Sequence, residues 1–267
     1  MADQRTLPRQ DWQDMTTKDV FDAGVGDWVA VLPLAAIEQH GPHLPLGTDA
    51  VILDGYLRAV KARLPSDLAA TFLPAQVVGV STEHENFPGT LSLTPEVAIS
   101  AWVAIGANLA RCGIRKLVLA NAHGGNVGVM DIVARRLRQQ HAMLVVMASF
   151  HRFGYPAGLF AVDELRHGIH GGAVETSLML HLCPDLVNMD KAANFSPASV
   201  KMEKDFAWLQ SGRPVGFGWM SEDLHPSGAM GDARSASAEA GRLALEHGAD
   251  AFIALLHDVK RFELPSL

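Results

Sequence analysis

Apolar positions run from Trp28 to Ile37 ("WVAVLPLAAI") and stop abruptly at Glu38, a pattern that predicts a buried strand whose far end opens onto polar residues. A second apolar run, "ATFLPAQVVGV" (70–80), predicts another strand, interrupted at Pro74. "KLVLA" (116–120) and "AMLVVMASF" (142–150) predict two more. Between these runs the apolar period changes from continuous to helical. "VILDGYLRAVKARL" (51–64) is one such segment, and "TPEVAISAWVAIGANLARCG" (94–113) is another, with Thr94 as N-cap, Pro95 at the first helical position and Gly113 as C-cap. A helix from about Asn126 to Gln140 follows, with Asn126 in the N-cap role. "AVETSLMLHLC" (173–183) and the Ala- and Leu-rich 235–262 complete the predicted helices.

Strands that alternate with helices predict an α/β fold: a three-layer α/β/α sandwich around a mainly parallel central sheet. The chain shows no internal repeat and no low-complexity linker, so a single domain over residues 1–267 is expected. Residues 1–27 read as a polar N-terminal extension. Residues 184–234, rich in Pro and Gly, read as an irregular segment that wraps an edge or a subunit contact.

Composition narrows the function classes. Of 267 residues, 48% are apolar and only 19% charged, enough to bury a large core. A net charge of −7 gives no general attraction to nucleic acid or anionic membranes, and "ARRLRQQ" (134–140) reads as the solvated face of a helix. There is no secretory h-region and no apolar stretch near the roughly 18 residues of a membrane span. Cys112 and Cys183 are the only cysteines and form no disulfide framework; Cys112 is expected to pack and not to react, and a cytoplasmic protein is expected.

The candidate chemistry gathers behind the strands. In "AIEQHGPHLPLGTDA" (36–50), Glu38 and His40 follow the first strand two residues apart, so a still-extended backbone points both the same way. Pro42, Pro45 and Gly47 restrict a loop that returns Asp49 toward the same spot. His123 follows another strand end in "LANAHGGN"; His170 and Glu175 follow in "HGIHGGAVETS". Functional groups in such sheets collect at the carboxyl ends of strands. Three carboxylates with imidazoles suit Zn²⁺, Mn²⁺, Fe²⁺ or Co²⁺ and lack the thiolates of a structural zinc site. They exceed the needs of one tetrahedral ion and suit two, roughly 3.5–4 Å apart and bridged by a carboxylate and a hydroxide, with Asp49 as the candidate bridge. Singly, an E-x-H or H-G-G says little. A dinucleotide loop is not indicated, because neither "GVGDWV" nor "HGGNVG" has the G-x-G-x-x-G pattern. His43 reads equally as a partner of a ligand or a plain loop residue; His141, His181, His247 and His257 read as structural or surface residues.

"LPLAAIEQHGPHLPLGTDA", "FPGTLSL", "LVLANAHGGN", "GGAVETSLML" and "SGAMGDARSASAEAG" fall in the order found in the creatininase (creatinine amidohydrolase) family, which this chain resembles from about residue 28 to 257. The resemblance implies an α/β/α sandwich with two metal ions at the strand ends, in a homo-oligomer, often a hexamer. It places Glu38, His40, Asp49 and His123 on metal-ligand positions, Asp49 bridging, and His170 as the proton carrier to the leaving nitrogen. "STEHENFPGT" (81–90) resembles a pocket-lining loop and makes His84 a substrate-contact candidate. Creatinine-hydrolysing relatives carry a glutamate where this chain has Gly125; Glu175 is expected to supply that ligand, the alternative being a carboxylate that caps its own helix turn. Those relatives also surround creatinine with tryptophans, which "SFHRFG" and "ELRHGIH" lack. Arg152, Arg166 and His167 instead suggest a cationic pocket for a carboxylate- or phosphate-bearing substrate. The expected activity is metal-dependent hydrolysis of a C–N amide bond, linear or cyclic, in a small molecule other than creatinine. The alternatives are a formamidopyrimidine-nucleotide deformylase, a precursor-peptide peptidase, or a metal-binding relative without turnover.

Overall fold

The computed structural model describes residues 7–265. Its elements in chain order are α1 (Thr17–Asp22), β1 (Val29–Leu34), α2 (Thr48–Lys61), β2 (Ala70–Phe72), α3 (Pro95–Cys112), β3 (Lys116–Asn121), α4 (Val127–His141), β4 (Leu144–Ser149), α5 (Val162–His167), α6 (Ala173–Leu182), β5 (Asn194–Phe195), α7 (Ala198–Asp205), α8 (Ser221–Leu224), β6 (Gly231–Asp232) and α9 (Ala238–Arg261). The central sheet has the order β2-β1-β3-β4 with every pairing parallel. β5 and β6 form a separate antiparallel pair. No helix among the described residues is long and apolar enough to cross a membrane.

Strand alternation divides the core into two layers. Val29 and Val31 of β1, with Val118 and Ala120 of β3, pack among α2, α6 and α9. Ala30, Leu32 and Leu34, with Leu117 and Leu119, face α3 and α4 on the other side. All six β1 residues are buried, as expected of a central parallel strand covered on both faces. α9 packs so closely on α6 that a Cβ at Gly241 would collide with the backbone carbonyl of Ser177.

Three boundaries differ from the sequence expectation, and each concerns the site. β1 ends at Leu34, leaving Glu38 and His40 in a loop. β2 stops at Phe72, before Pro74, and only an isolated bridge from Gln76 to Leu34 continues it. α2 begins at Thr48, so Asp49 lies in its first turn, where a carboxylate is favoured by the helix dipole. The segment 184–234 is less irregular than expected, since it holds β5, α7, α8 and β6.

Candidate metal centre and active site

The loop after β1 is pinned along its length. Leu91 N–H donates to Ile37 O at 2.8 Å, Glu38 N–H to Leu46 O at 3.0 Å, and Gln39 N–H to Thr90 Oγ1 at 3.2 Å. His40 Nδ1 lies 3.1 Å from Glu38 O, which turns Nε2 inward. On β3, Asn121 accepts from His123 N–H at 3.2 Å and donates to His123 O and to Ser149 Oγ. Asn126 stands at the N-cap position of α4 but makes no cap bond there. Its side chain instead accepts from Val80 N–H at 2.9 Å and donates to Ala35 O and Asn121 Oδ1. That amide ties the ends of β1 and β3 to the loop carrying His84.

The expected ligands converge. Asp49 lies between two imidazoles, Oδ1 being 3.3 Å from His40 Nε2 and Oδ2 3.2 Å from His123 Nδ1. Glu38 Oε1 is 3.2 Å from His123 Nδ1 and 3.9 Å from His40 Nε2. Glu175 Oε2 approaches His40 Nε2 at 3.8 Å while accepting from Gly171 N–H at 2.5 Å. Glu175 thus accepts a backbone N–H at the start of its own helix and also faces the cluster. His84 and His170 each bring a ring nitrogen to 3.6 Å from Glu38 Oε1, and the His170 ring packs about 4 Å from those of His40 and His84.

Gln39 fixes the character of these last two imidazoles. Its amide donates to His84 Nδ1 at 2.7 Å, so His84 presents an N–H at Nε2. Its backbone oxygen accepts from His170 Nε2 at 2.6 Å, so His170 presents the bare Nδ1 to the centre. Burial, aided by the neighbouring histidine charges, holds both neutral: His84 is pushed down to about 3 and His170 well below its ordinary value.

The other histidines of the cluster respond oppositely. Burial opposes charge on His40, but Asp49, Glu175 and Glu38 outweigh it and raise its pKa to about 9. His123 is raised in the same sense by Glu38 and Asp49 against its burial. Asp49, despite burial, is held below the usual carboxylate range by His40 and His123. Glu175 is pushed up to about 7, chiefly by burial. Four cluster atoms are buried without any hydrogen-bond partner: both Glu38 oxygens, His40 Nε2 and Asp49 Oδ2. Such atoms are costly to bury unless something positive binds them. The donor set, oxygen and imidazole nitrogen without sulfur, fits divalent cations.

The cluster forms the floor of a cavity of about 800 Å³. Glu38, Asp49, His84, His123, His170 and Glu175 all line it. Arg166 and His167 do not. Arg166 pairs with Glu203 at 2.6 Å, and His167 is held by Glu203 and Ser199, both at 2.9 Å, because α5 turns that face toward α7. Among the described residues the expected cationic wall is not formed: no Lys or Arg lines the cavity, and Arg152 is not among its lining residues. His43 packs on Phe195 and bonds Thr176 Oγ1 at 3.0 Å, outside the ligand set.

Glu83 was not singled out from the sequence. It lines the cavity, its Oε1 lies 3.7 Å from His123 Nε2, and it groups with Glu38 and His123 within metal-binding distances. The quoted "STEHENFPGT" contains it, and its adjacency to His84 was the available clue.

The creatininase model (creatinine amidohydrolase) matches residues 13–256. The chain belongs to the creatininase family. The mycofactocin precursor peptide peptidase of Mycobacterium tuberculosis is 36% identical over 220 residues, covering 79% of this chain and 78% of that protein. The creatinine amidohydrolase of Pseudomonas putida is 32% identical over 255 residues, covering 87% and 90%. A crystal structure of creatinine amidohydrolase (creatininase) superposes with a TM-score of 0.74 at 29% identity, over 96% of this chain and 100% of that one. The chain is thus a creatininase-family amidohydrolase, a hydrolase acting on C–N bonds, with the family's α/β fold.

Proposed function

We propose that this family member holds two divalent ions, zinc, manganese or iron, and hydrolyses an amide bond other than that of creatinine. One ion would lie among Glu38, Asp49 and His123, the other among His40, Asp49 and Glu175. The observation that carries the reading is the convergence of unpartnered, buried ligand atoms at the cavity floor. Solved creatininases described with manganese, or as a zinc–zinc form, support the choice of metals. When bound, such ions acidify water and polarise a carbonyl.

The protein's own groups account for the remaining tasks. Asp49 offers one oxygen to each side of the centre, which suits a bridge. His170, neutral and bare at Nδ1, can take a proton at that atom and pass it to the departing nitrogen. His84 presents Nε2–H and is placed to orient the substrate or steady developing negative charge. A cavity of about 800 Å³ favours a peptide-sized amide, in line with the peptidase relatives. A nucleotide deformylase is the weaker reading, since among the described residues no lining guanidinium or ammonium would hold the phosphate. A cytoplasmic homo-oligomer belongs to the same proposal; exposed Trp208, Phe206 and Val215 support the association, and light scattering tests it.

Metal analysis of the purified protein, then a panel of formamides, lactams and short peptides, tests the function. About two ions per chain and turnover of a peptide-type amide are expected, with His123→Ala losing metal and activity together. Full turnover by a metal-free variant would refute it.

A further inference from the structure

Among the described residues, the charged side chains lining the cavity are, apart from its histidine rings, all carboxylates. These carboxylates are Glu38, Asp49, Glu83, Glu175 and Asp223, and no Lys or Arg among the described residues lines the cavity with them. Two divalent ions would more than balance the three proposed carboxylate ligands, but Glu83 and Asp223 tip the sum back to negative. Asp223 accepts from Met220 N–H at 2.8 Å through Oδ2, which leaves Oδ1 open. Glu83 has no ion-pair partner among the described residues except the ring of His123 at 3.7 Å.

A second observation concerns neutral donors. The chain has only two tyrosines, and both line this cavity. Neither phenol has a hydrogen-bond partner among the described residues, although Tyr56 is only 2% exposed and stacks on Phe150. Burial keeps both protonated, with Glu175 adding to the effect at Tyr155, so each is a donor awaiting an acceptor. Apolar side chains line the same cavity, among them Leu178, Phe217 and Trp219.

We propose that the cavity selects an amide carrying a protonated amino group on a bulky apolar body, with Glu83 and Asp223 reading the positive charge and the phenols of Tyr56 and Tyr155 binding a polar acceptor on that body. A short peptide-like amide with a free amino group has this chemistry. The proposal rests on the hydrolytic reading above and reverses the charge expected from Arg166 and His167. Carboxylates that share one cavity wall attract a cation and repel an anion by the same physics.

Two measurements on the metal-loaded protein test it. The first compares phenylalanine p-nitroanilide with its N-acetyl and N-succinyl forms, and the second measures binding of phenethylammonium against phenylacetate by calorimetry. The free amine is expected to lead in kcat/KM, and the ammonium in affinity, by at least about ten-fold. Glu83→Gln and Asp223→Asn should each shrink that preference several-fold, and Asp223, being exposed, offers a variant whose folding is not at risk. Tyr155→Phe should weaken binding of the anilides while keeping the charge preference. Equal or tighter binding of phenylacetate, or a preference unchanged in both acidic variants, overturns the proposal. So does loss of an ion from Glu83→Gln, which would make Glu83 a ligand. If no amide is cleaved but the ammonium binds with this selectivity, the hydrolytic reading fails and the proposal stands. If amides are cleaved without regard to charge, the reverse holds.

Discussion

Removing the metal should leave a protein whose stability falls as pH rises through the range in which most proteins are steady. The cause is His40. In the metal-free cluster its pKa is raised from an ordinary 6.5 to about 9, because Asp49, Glu175 and Glu38 outweigh its burial. A folded-state pKa above the unfolded value means the folded state holds a proton that the unfolded state releases earlier. The resulting stability is complete below pH 6.5 and is lost as pH rises through about 9. That rise corresponds to about 3 kcal/mol, undiminished by solvent because His40 is buried. His123 is shifted in the same direction, and Glu175, raised to about 7, loses its contribution in the same sense. His84 and His170 are shifted downward, so their effects lie below pH 6.5 and outside the window. For a chain of this size, about 3 kcal/mol lowers Tm by roughly 6–12 °C. Binding an ion requires neutral imidazole, so the metal-loaded protein should show the opposite trend, gaining affinity as pH rises toward 9. Thermal and urea unfolding at pH 6.5 and pH 9, with chelator and with added Mn²⁺ or Zn²⁺, reads both. A chelated protein as stable at pH 9 as at 6.5 would refute the electrostatic account of the cluster.

Other perturbations test the frame. Gly125→Glu, which restores the residue found at this position in creatinine-hydrolysing relatives, should fail to add a ligand. A Cβ there lies 2.5 Å from Glu83 Oε1 and 2.6 Å from His123 Nε2 and collides with Val80 O, so metal content should fall with a stability loss of about 1–3 kcal/mol. Arg166→Ala should leave KM unchanged and cost under about 1 kcal/mol, since its exposed pair with Glu203 stands outside the cavity; a large KM rise would return Arg166 to the substrate. Gly241→Ala should lower Tm by forcing α9 off the Ser177 carbonyl, at about 1–3 kcal/mol, while leaving residual metal binding intact.

Much of this architecture was legible because it rests on period and punctuation. The four runs that read as strands formed the sheet, and Pro95 and Gly113 bounded α3 as their conformations require. The convergence of Glu38, Asp49 and His123 could be argued from strand ends alone, even though β1 stops before Glu38 and α2 reaches back to include Asp49. What could not be read was direction. Arg166 and His167 stand only a few residues before His170, yet α5 aims them at Glu203, a partner supplied by a helix that the Pro- and Gly-rich 184–234 concealed. The sign of the cavity wall is set by that choice, and no local pattern carries it. Glu83 could not be read from the sequence because a carboxylate in a short 3-10 turn has no periodicity; only its approach to His123 gives it meaning.

The placing of so much charge depends on residues that carry none. If cations had to hold the five acidic and imidazole groups in register, the metal-free chain would lose its site geometry along with its metal. The bonds made by Asn121, Asn126 and Gln39 argue otherwise. Asn126 joins Ala35, Asn121 and Val80, three segments distant in sequence, through one neutral amide. Gln39 accepts from Gly41 N–H, donates to Gly228 O, and sets both the donor face of His84 and the bare nitrogen of His170. An amide can donate and accept at once without a counter-ion, so it can be buried beside carboxylates without adding to their repulsion. The frame is therefore separable from the charges it positions. Preorganisation of this kind lowers the ordering cost when ions bind and lets His84 and His170 keep opposite roles at the same carboxylate.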